Sequence, residues 1–430
     1  MPVVVNDAAM RILARIGLAA AASLLVLAAT ARADDGGARQ DDGRVQLGPR
    51  PFYLVGGMDD GALKQRLEQC ENGPFYRTDF SIGHRGAPLQ FPEHTRESYE
   101  AAARTGAGII ECDVTFTRDG HLVCRHAECD LHTTTNIVAT GLNNRCTVPY
   151  SGPGSRPKCC ASDLDLPEFK SLVGKMDASS PSAQTAEGYL GGTVNWRTDL
   201  YSGRGTLLTH AESIELIRRL GGKFTPELKA GDADRIKAVF GSQAAYARKL
   251  ILEYAAAGVP PREVWPQSFN VEDVFYWIDN TEYGRQAVYL LDYNAADPFN
   301  DIVIQPPYSA MPRADYFRML RQRGVRIVAP PIPALLAVEA DGRIVPSTLA
   351  KDLKGMGFDI ITWTFERSDL RRGASKAGYY YDFDPTGAAI KKDSDMYKAL
   401  DVLAREVKIL GIFSDWPATV TYYANCMGLR

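Results

Sequence analysis

Between Ser81 and Ile137, histidines and carboxylates crowd the ends of short apolar runs, a pattern suited to acid–base chemistry on a charged substrate. His84 closes one run and is followed by Arg85 and Gly86, and His126 closes another. Glu111 and Asp113 lie one residue apart, a spacing that on an extended strand turns both carboxylates to one face. Two inward carboxylates repel each other and are costly to bury unless a cation or a strong donor neutralises them. One divalent cation answers that need, with Glu227 of Pro226-Glu227-Leu228-Lys229 as a third carboxylate, and an all-oxygen ligand set favours Mg²⁺ or Ca²⁺ over zinc. A salt bridge from Glu111 to Arg85 or Lys229 is the alternative that needs no ion. Two imidazoles beside such a centre suit attack on a phosphodiester, one as base and one as acid. Arg85 offers phosphate a bidentate fork, while Lys229, on the same face as Glu227, offsets charge developing in the transition state.

These side chains need strands to carry them. Runs rich in β-branched and aromatic residues fall at 80–83, 108–114, 122–126, 223–228, 264–269, 287–291, 326–329, 359–364 and 411–414, with amphipathic stretches between several of them. The alternation predicts an α/β fold, a TIM-type (β/α)8 barrel, in which sites assemble at the strand C-termini. Nine segments exceed eight barrel positions, so one is a hairpin arm or lies outside the barrel. Helices are expected over 95–105, 211–220 and 233–257, each stopped by a glycine, Gly106, Gly221 or Gly258. Residues 129–205 break the rhythm with Ser-Gly-Pro-Gly and Cys159-Cys160. A structureless loop of that length is unusual in a domain, so an insertion after the third strand with its own local order is expected. The resulting division is a leader over 1–33, an N-terminal extension over 34–78, a barrel over 79–128 and 206–424, and the insertion.

The chain has 430 residues, 45% hydrophobic and 23% charged, enough for one large core, and its net charge of −3 offers no basic field for nucleic acid. Met1 to Ala33 reads as a signal peptide: Arg11 and Arg15 precede the apolar run Ile16 to Ala29, then Ala31-Arg32-Ala33 supplies small residues for cleavage. The run is too short to serve as a stable membrane anchor, so a secreted or periplasmic protein is expected. All eight cysteines follow the cleavage point, and in an oxidising compartment they predict disulfides, with Cys146, Cys159 or Cys160 cross-linking the insertion. For Cys112 and Cys124, in strand-like segments, buried free thiols are the competing expectation.

Read in order, His84-Arg85-Gly86, Pro92-Glu93-His94-Thr95, Glu111-Cys112-Asp113-Val114, Thr117-Arg118-Asp119-Gly120 and His126 resemble the glycerophosphodiester phosphodiesterase family. Thr133-Thr134-Thr135-Asn136, Glu227-Leu228-Lys229, Gln267-Ser268-Phe269, Thr362-Trp363-Thr364 and Ser414-Asp415-Trp416-Pro417 extend the match from Phe80 to Thr419. The resemblance implies a TIM-type barrel with Ca²⁺ or Mg²⁺ on Glu111, Asp113 and Glu227, and His84 and His126 as the acid and base. It also implies phosphate on Arg85 and Lys229, with Glu93 at or just behind the metal. The implied reaction releases an alcohol and glycerol 3-phosphate from a small glycerophosphodiester; the substrate's glycerol hydroxyl attacks phosphorus, then water opens a cyclic phosphate. Trp363 and Phe269 are expected as a wall against the glycerol or alcohol.

Three positions depart from the family pattern. His94 stands where an Asn is usual, Ala127 replaces an Asp after His126 and leaves Asp130 or Glu128 to substitute, and the closing motif carries Ser414 and Trp416. Two other readings share much of this sequence. A phospholipid head-group enzyme, sphingomyelinase D-like or lysophospholipase D-like, would show an apolar lip at the barrel mouth, of which Tyr379 to Phe383 is the local hint. A non-catalytic secreted binding protein would have lost a histidine or a metal carboxylate, and all are present.

Overall fold

The computed structural model describes residues 43–294, 297 and 301–429; the signal-peptide expectation lies outside them. Eight parallel strands close into a barrel: β1 (Thr78–Gly83), β2 (Ala107–Phe116), β4 (Lys223–Leu228), β5 (Gln267–Ser268), β6 (Val288–Leu290), β7 (Ile327–Ala329), β8 (Asp359–Phe365) and β9 (Gly411–Ser414). Ring closure comes from β1, which pairs with β9 on one side and β2 on the other. The ninth segment is β3 (Leu122–Cys124), antiparallel to β2 and outside the ring. It is the hairpin arm that the count of segments required. Residues 129–205 therefore follow the third strand in chain order and lie between the second and third strands of the barrel.

Two apolar layers fill the structure. Ile82, Ile109, Val288, Leu290, Ile327, Ile361 and Phe413 pack inside the barrel, where strand alternation brings them onto a common face. Outside, the opposite faces of the strands meet helices such as α1 (Arg50–Gly56), α2 (Ala62–Glu68), α3 (Arg96–Arg104) and α4 (His210–Arg219) in a larger cluster. Caps set the helix starts. Thr95 accepts from the Ser98 N–H at 3.3 Å, and Thr209 and Glu212 form a reciprocal capping box. The helix expected over 233–257 is two, α5 (Ala233–Phe240) and α6 (Gln243–Ala256). Gly241, at φ +86°, ends the first, and the Ser242 hydroxyl caps the second.

Residues 129–205 contain short helical turns and a strand pair, with a small core of Leu131, Ile137, Val138, Leu164, Phe169 and Tyr189. Disulfides Cys129–Cys160 and Cys146–Cys159 tie this segment together. Cys112–Cys124 joins β2 to the hairpin arm, and Cys70–Cys426 joins the N-terminal region to the last helix, so no cysteine is free.

Candidate active site

Register places the acidic groups. Asp113 on β2 lies directly beside Glu227 on β4, and Glu227 lies beside Gln267 on β5. Residues aligned across parallel strands share a face, so Glu111, Asp113 and Glu227 converge on the barrel interior near the strand C-termini. Their ligand atoms lie within 4.8 Å of one another, and all three residues are buried.

Local backbone turns set the neighbours. His84 follows β1; the next residue, Arg85, adopts φ +54°, and its N–H donates to Glu111 at 2.9 Å. His94 adopts φ +56° and its N–H bonds the Arg85 carbonyl at 3.0 Å. Non-glycine residues in this region cost about 1 kcal/mol or more and persist where the surroundings fix them. The Arg85 guanidinium meets Glu93 at 2.9 Å and approaches Asp113 at 3.4 Å, so the side-chain bridge to Glu111 considered as an alternative does not form. Gln267 donates to the other Glu111 oxygen at 2.9 Å, and Lys229 holds Glu227 at 2.5 Å.

A cavity of about 590 Å³ opens over this cluster, lined by His84, Arg85, Glu93, Glu111, His126, Glu227, Lys229 and Trp363. Of the nine side chains assigned to chemistry, metal or phosphate and substrate binding, these eight meet there, as does Phe269 of the expected wall. The ninth, Asp113, is buried beneath it, and its Oδ1 has no hydrogen-bond partner. Burial, with Asp113 and Glu227 close by, pushes the Glu111 carboxyl well above the usual carboxylate range; burial, moderated by Lys229, pushes Glu227 up to about 7. Asp113 is held low against burial by Lys229, His94 and Arg85. An ionised Asp113 with an orphaned oxygen, flanked by two carboxyls whose charge burial and its presence hold back, fits a hard divalent cation.

Both imidazoles are pushed well below their ordinary value by burial and by neighbouring cations, Arg85 and Arg367 at His84, Arg85 and Lys229 at His126. His84 donates Nδ1–H to Asp415 at 2.6 Å, which leaves Nε2 as the acceptor, 3.9 Å from Glu111. The Asp415 carboxyl is pushed up to about 6, chiefly by burial and against Arg367.

At the first departure, His94 is fully buried; its Nε2 bonds Asp113 at 2.9 Å and its Nδ1 bonds the Tyr99 hydroxyl at 3.0 Å. At the second, Asp130 lines the cavity, whereas Glu128 turns away to the Asp232 N–H at 2.6 Å. The two aromatics expected as a wall meet at the cavity: Trp363 packs edge-on against Phe269 at 5.8 Å and stacks on Tyr379 at 6.1 Å, and Tyr380 also lines the cavity. Of the tyrosine-rich run, Tyr381 and Phe383 are instead buried in the core. Sequence reasoning assigned no role to Asp415, Arg367 or Asp177. Asp415 follows β9 as other site residues follow their strands, which was its signal; Asp177 comes from the insertion and had none.

Comparison with known proteins agrees with this geometry. A 256-residue stretch, 59% of the chain, is 40% identical to the whole of an Arthroderma benhamiae protein named "Extracellular protein". A 56-residue match, 46% identical, covers 13% of the chain and 19% of a Bacillus subtilis glycerophosphodiester phosphodiesterase. The crystal structure of a Silicibacter pomeroyi protein assigned as a glycerophosphoryl diester phosphodiesterase superposes with a TM-score of 0.54 at 16% identity, covering 84% of this chain and 98% of that one, a likeness of fold. The sequence profile of one family spans residues 84–418, from the first histidine to the start of the last helix, and by that match the chain belongs to the glycerophosphoryl diester phosphodiesterase family.

Proposed function

We propose that this phosphoric diester hydrolase cleaves small glycerophosphodiesters to an alcohol and glycerol 3-phosphate in a reaction dependent on one divalent cation, Ca²⁺ or Mg²⁺. The observation that carries the reading is the convergence of two histidines, two cations and the carboxylates of Glu111 and Glu227 on one cavity, with Asp113 directly beneath it. Glu111, Asp113 and Glu227 would hold the cation, which would neutralise their charge and polarise a phosphoryl oxygen. Arg85 and Lys229 bind the phosphate, and Glu93 fixes the Arg85 fork.

His84 is the base in the first half-reaction, because Asp415 secures its Nδ1–H and so presents a lone pair at Nε2. It takes the proton of the glycerol hydroxyl as that oxygen bonds to phosphorus, and His126 gives a proton to the departing alcohol oxygen. Burial first, and the Arg85 and Lys229 charges after it, hold His126 neutral; arrival of the phosphodiester anion offsets those two charges and so favours a protonated His126 as the acid. Water then opens the cyclic phosphate with the two roles exchanged. Phe269, Trp363 and Tyr380 pack against the organic part of the substrate.

A second reading has an observation of its own. Phe269 and Tyr379 are 37% and 38% exposed beside Trp363, an apolar edge that would suit a lyso-lipid. We further read residues 129–205 as an insertion on a barrel of 79–128 and 206–424, and the protein as secreted or periplasmic. Four disulfides and an extracellular relative support that location. Incubating the mature protein with glycerophosphocholine, glycerophosphoethanolamine, glycerophosphoinositol and lysophosphatidylcholine, with each metal or chelator, tests the proposal. Metal-dependent glycerol 3-phosphate from the deacylated diesters is expected; turnover of the lyso-lipid alone favours the second reading.

A further inference from the structure

Arg367, in the loop after β8, joins three parts of the molecule. Its Nη1 donates to Asp415 Oδ2 at 2.9 Å, and Asp415 Oδ1 holds the His84 ring at 2.6 Å. Its Nη2 donates to Asp177 of the insertion at 2.9 Å and lies 3.8 Å from Glu93, the partner of Arg85. Each oxygen of the fully buried Asp415 carboxylate thus has one cationic or imidazole partner. The guanidinium is itself braced from behind. Glu366 sits at φ +63° with its carboxylate gripped by Arg50 of α1 at 2.9 and 3.0 Å and by the Thr419 hydroxyl. A glutamate in the left-handed region is retained when its side chain is fixed in this way, and it sets the backbone from which Arg367 projects. Asp177 has a second cation within 2.6 Å, Arg197 of its own segment.

We propose that Arg367 is a positioning residue that orients His84 through Asp415 while clasping Asp177, so that seating the insertion and setting the base are one arrangement. A guanidinium can do this because its planar donors serve two carboxylates at fixed angles, which a point-charged ammonium cannot. Loss of Arg367 would leave the Asp415 carboxylate buried with one partner fewer, free to rotate away from the imidazole. The inference rests on His84 having the role given above.

The test is a mutant cycle on the full mature protein with glycerophosphocholine and saturating metal. Arg367→Met is expected to lower kcat by about tenfold or more while KM stays within about threefold; in the Asp415→Asn background the same change is expected to cost less than about twofold. Arg367→Lys, which keeps the charge and guards against a folding defect, is expected to recover only part of kcat, whereas millimolar guanidinium is expected to raise the turnover of Arg367→Ala. Asp177→Asn, with Arg197 still in place, is expected to have the smaller effect. Full multiplicativity of Arg367→Met and Asp415→Asn, a change confined to KM, or an unaltered kcat would overturn the proposal. If the wild type turns over no glycerophosphodiester, the proposed function fails, and the ¹⁵N spectrum of the His84 ring then judges the positioning role by itself. One Nδ1–H tautomer in the wild type and a mixture in Arg367→Met support it; the same tautomer in both overturns it.

Discussion

On one side of the pocket, Glu111, Asp113 and Glu227 stand on β2 and β4, where backbone pairing puts Asp113 and Glu227 shoulder to shoulder. On the other, Phe269, Trp363, Tyr379 and Tyr380 meet through ring contacts, and Asp177 of the insertion is held by ion pairs to Arg197 and Arg367. The strand side gains its precision from a sheet that exists for other reasons, so its charged groups can be buried at close range. The other side, where Trp363 of β8 meets residues from the loops, depends on side chains that hold one another. On the proposed function the carboxylate side would carry the chemistry and the aromatic side the choice of alcohol, and the two should respond differently to mutation.

The largest effect is expected from His84→Ala or His126→Ala. Each should lower kcat by about 10²- to 10⁴-fold with little change in Tm, because each removes a proton-transfer group rather than core packing. Near-normal turnover in either variant would remove the assignment. Next comes Glu111→Gln or Asp113→Asn, expected to raise the metal concentration for half-maximal activity about 10- to 100-fold, with partial recovery in excess metal. An unshifted metal titration would show that these carboxylates serve another purpose.

The strand side was legible in the sequence because period-two alternation and strand-end position constrain side chains strongly. Glu111 and Asp113, one residue apart, had to face the same way, and the nine apolar runs had to include one arm outside the ring. The other side was less so. Nothing in Ala178 to Gly192 announces that Asp177 reaches the pocket, since an ion pair across 190 residues leaves no local pattern. The split between α5 and α6 was marked by Gly241-Ser242, a stop and a cap inside an otherwise continuous helical pattern.

Smaller effects should map to the aromatic side. Phe269→Ala or Tyr380→Ala is expected to raise KM about three- to tenfold and to alter the ranking of alcohols, with kcat within about twofold, the signature of lost uniform binding. An equal fall in kcat would place the wall in the chemistry. The smallest effect concerns Asp273, in the first turn of the helix that carries the chain away from Phe269, where it accepts from Ser268 and Gln243 at 2.9 Å each. Burial pushes this carboxyl up to about 6 from an ordinary 3.8. The folded chain then keeps a proton that the unfolded chain has released between about pH 4 and 6, so this group's contribution to stability falls as pH rises through that window, by on the order of 1–3 kcal/mol. Denaturant melts of wild type and Asp273→Asn across the window should show the wild type losing ground; parallel curves would contradict the shift.

On the proposed function, the carboxylate cluster and the two histidines form one metal-dependent phosphodiesterase site. Glycerol 3-phosphate release from glycerophosphocholine by the purified protein, followed with Ca²⁺, with Mg²⁺ and with chelator, is the decisive measurement. Release is expected with at least one of the two ions, with its loss on chelation and its return on adding metal back. Release that persists undiminished in chelator, or none with either ion, would contradict that function.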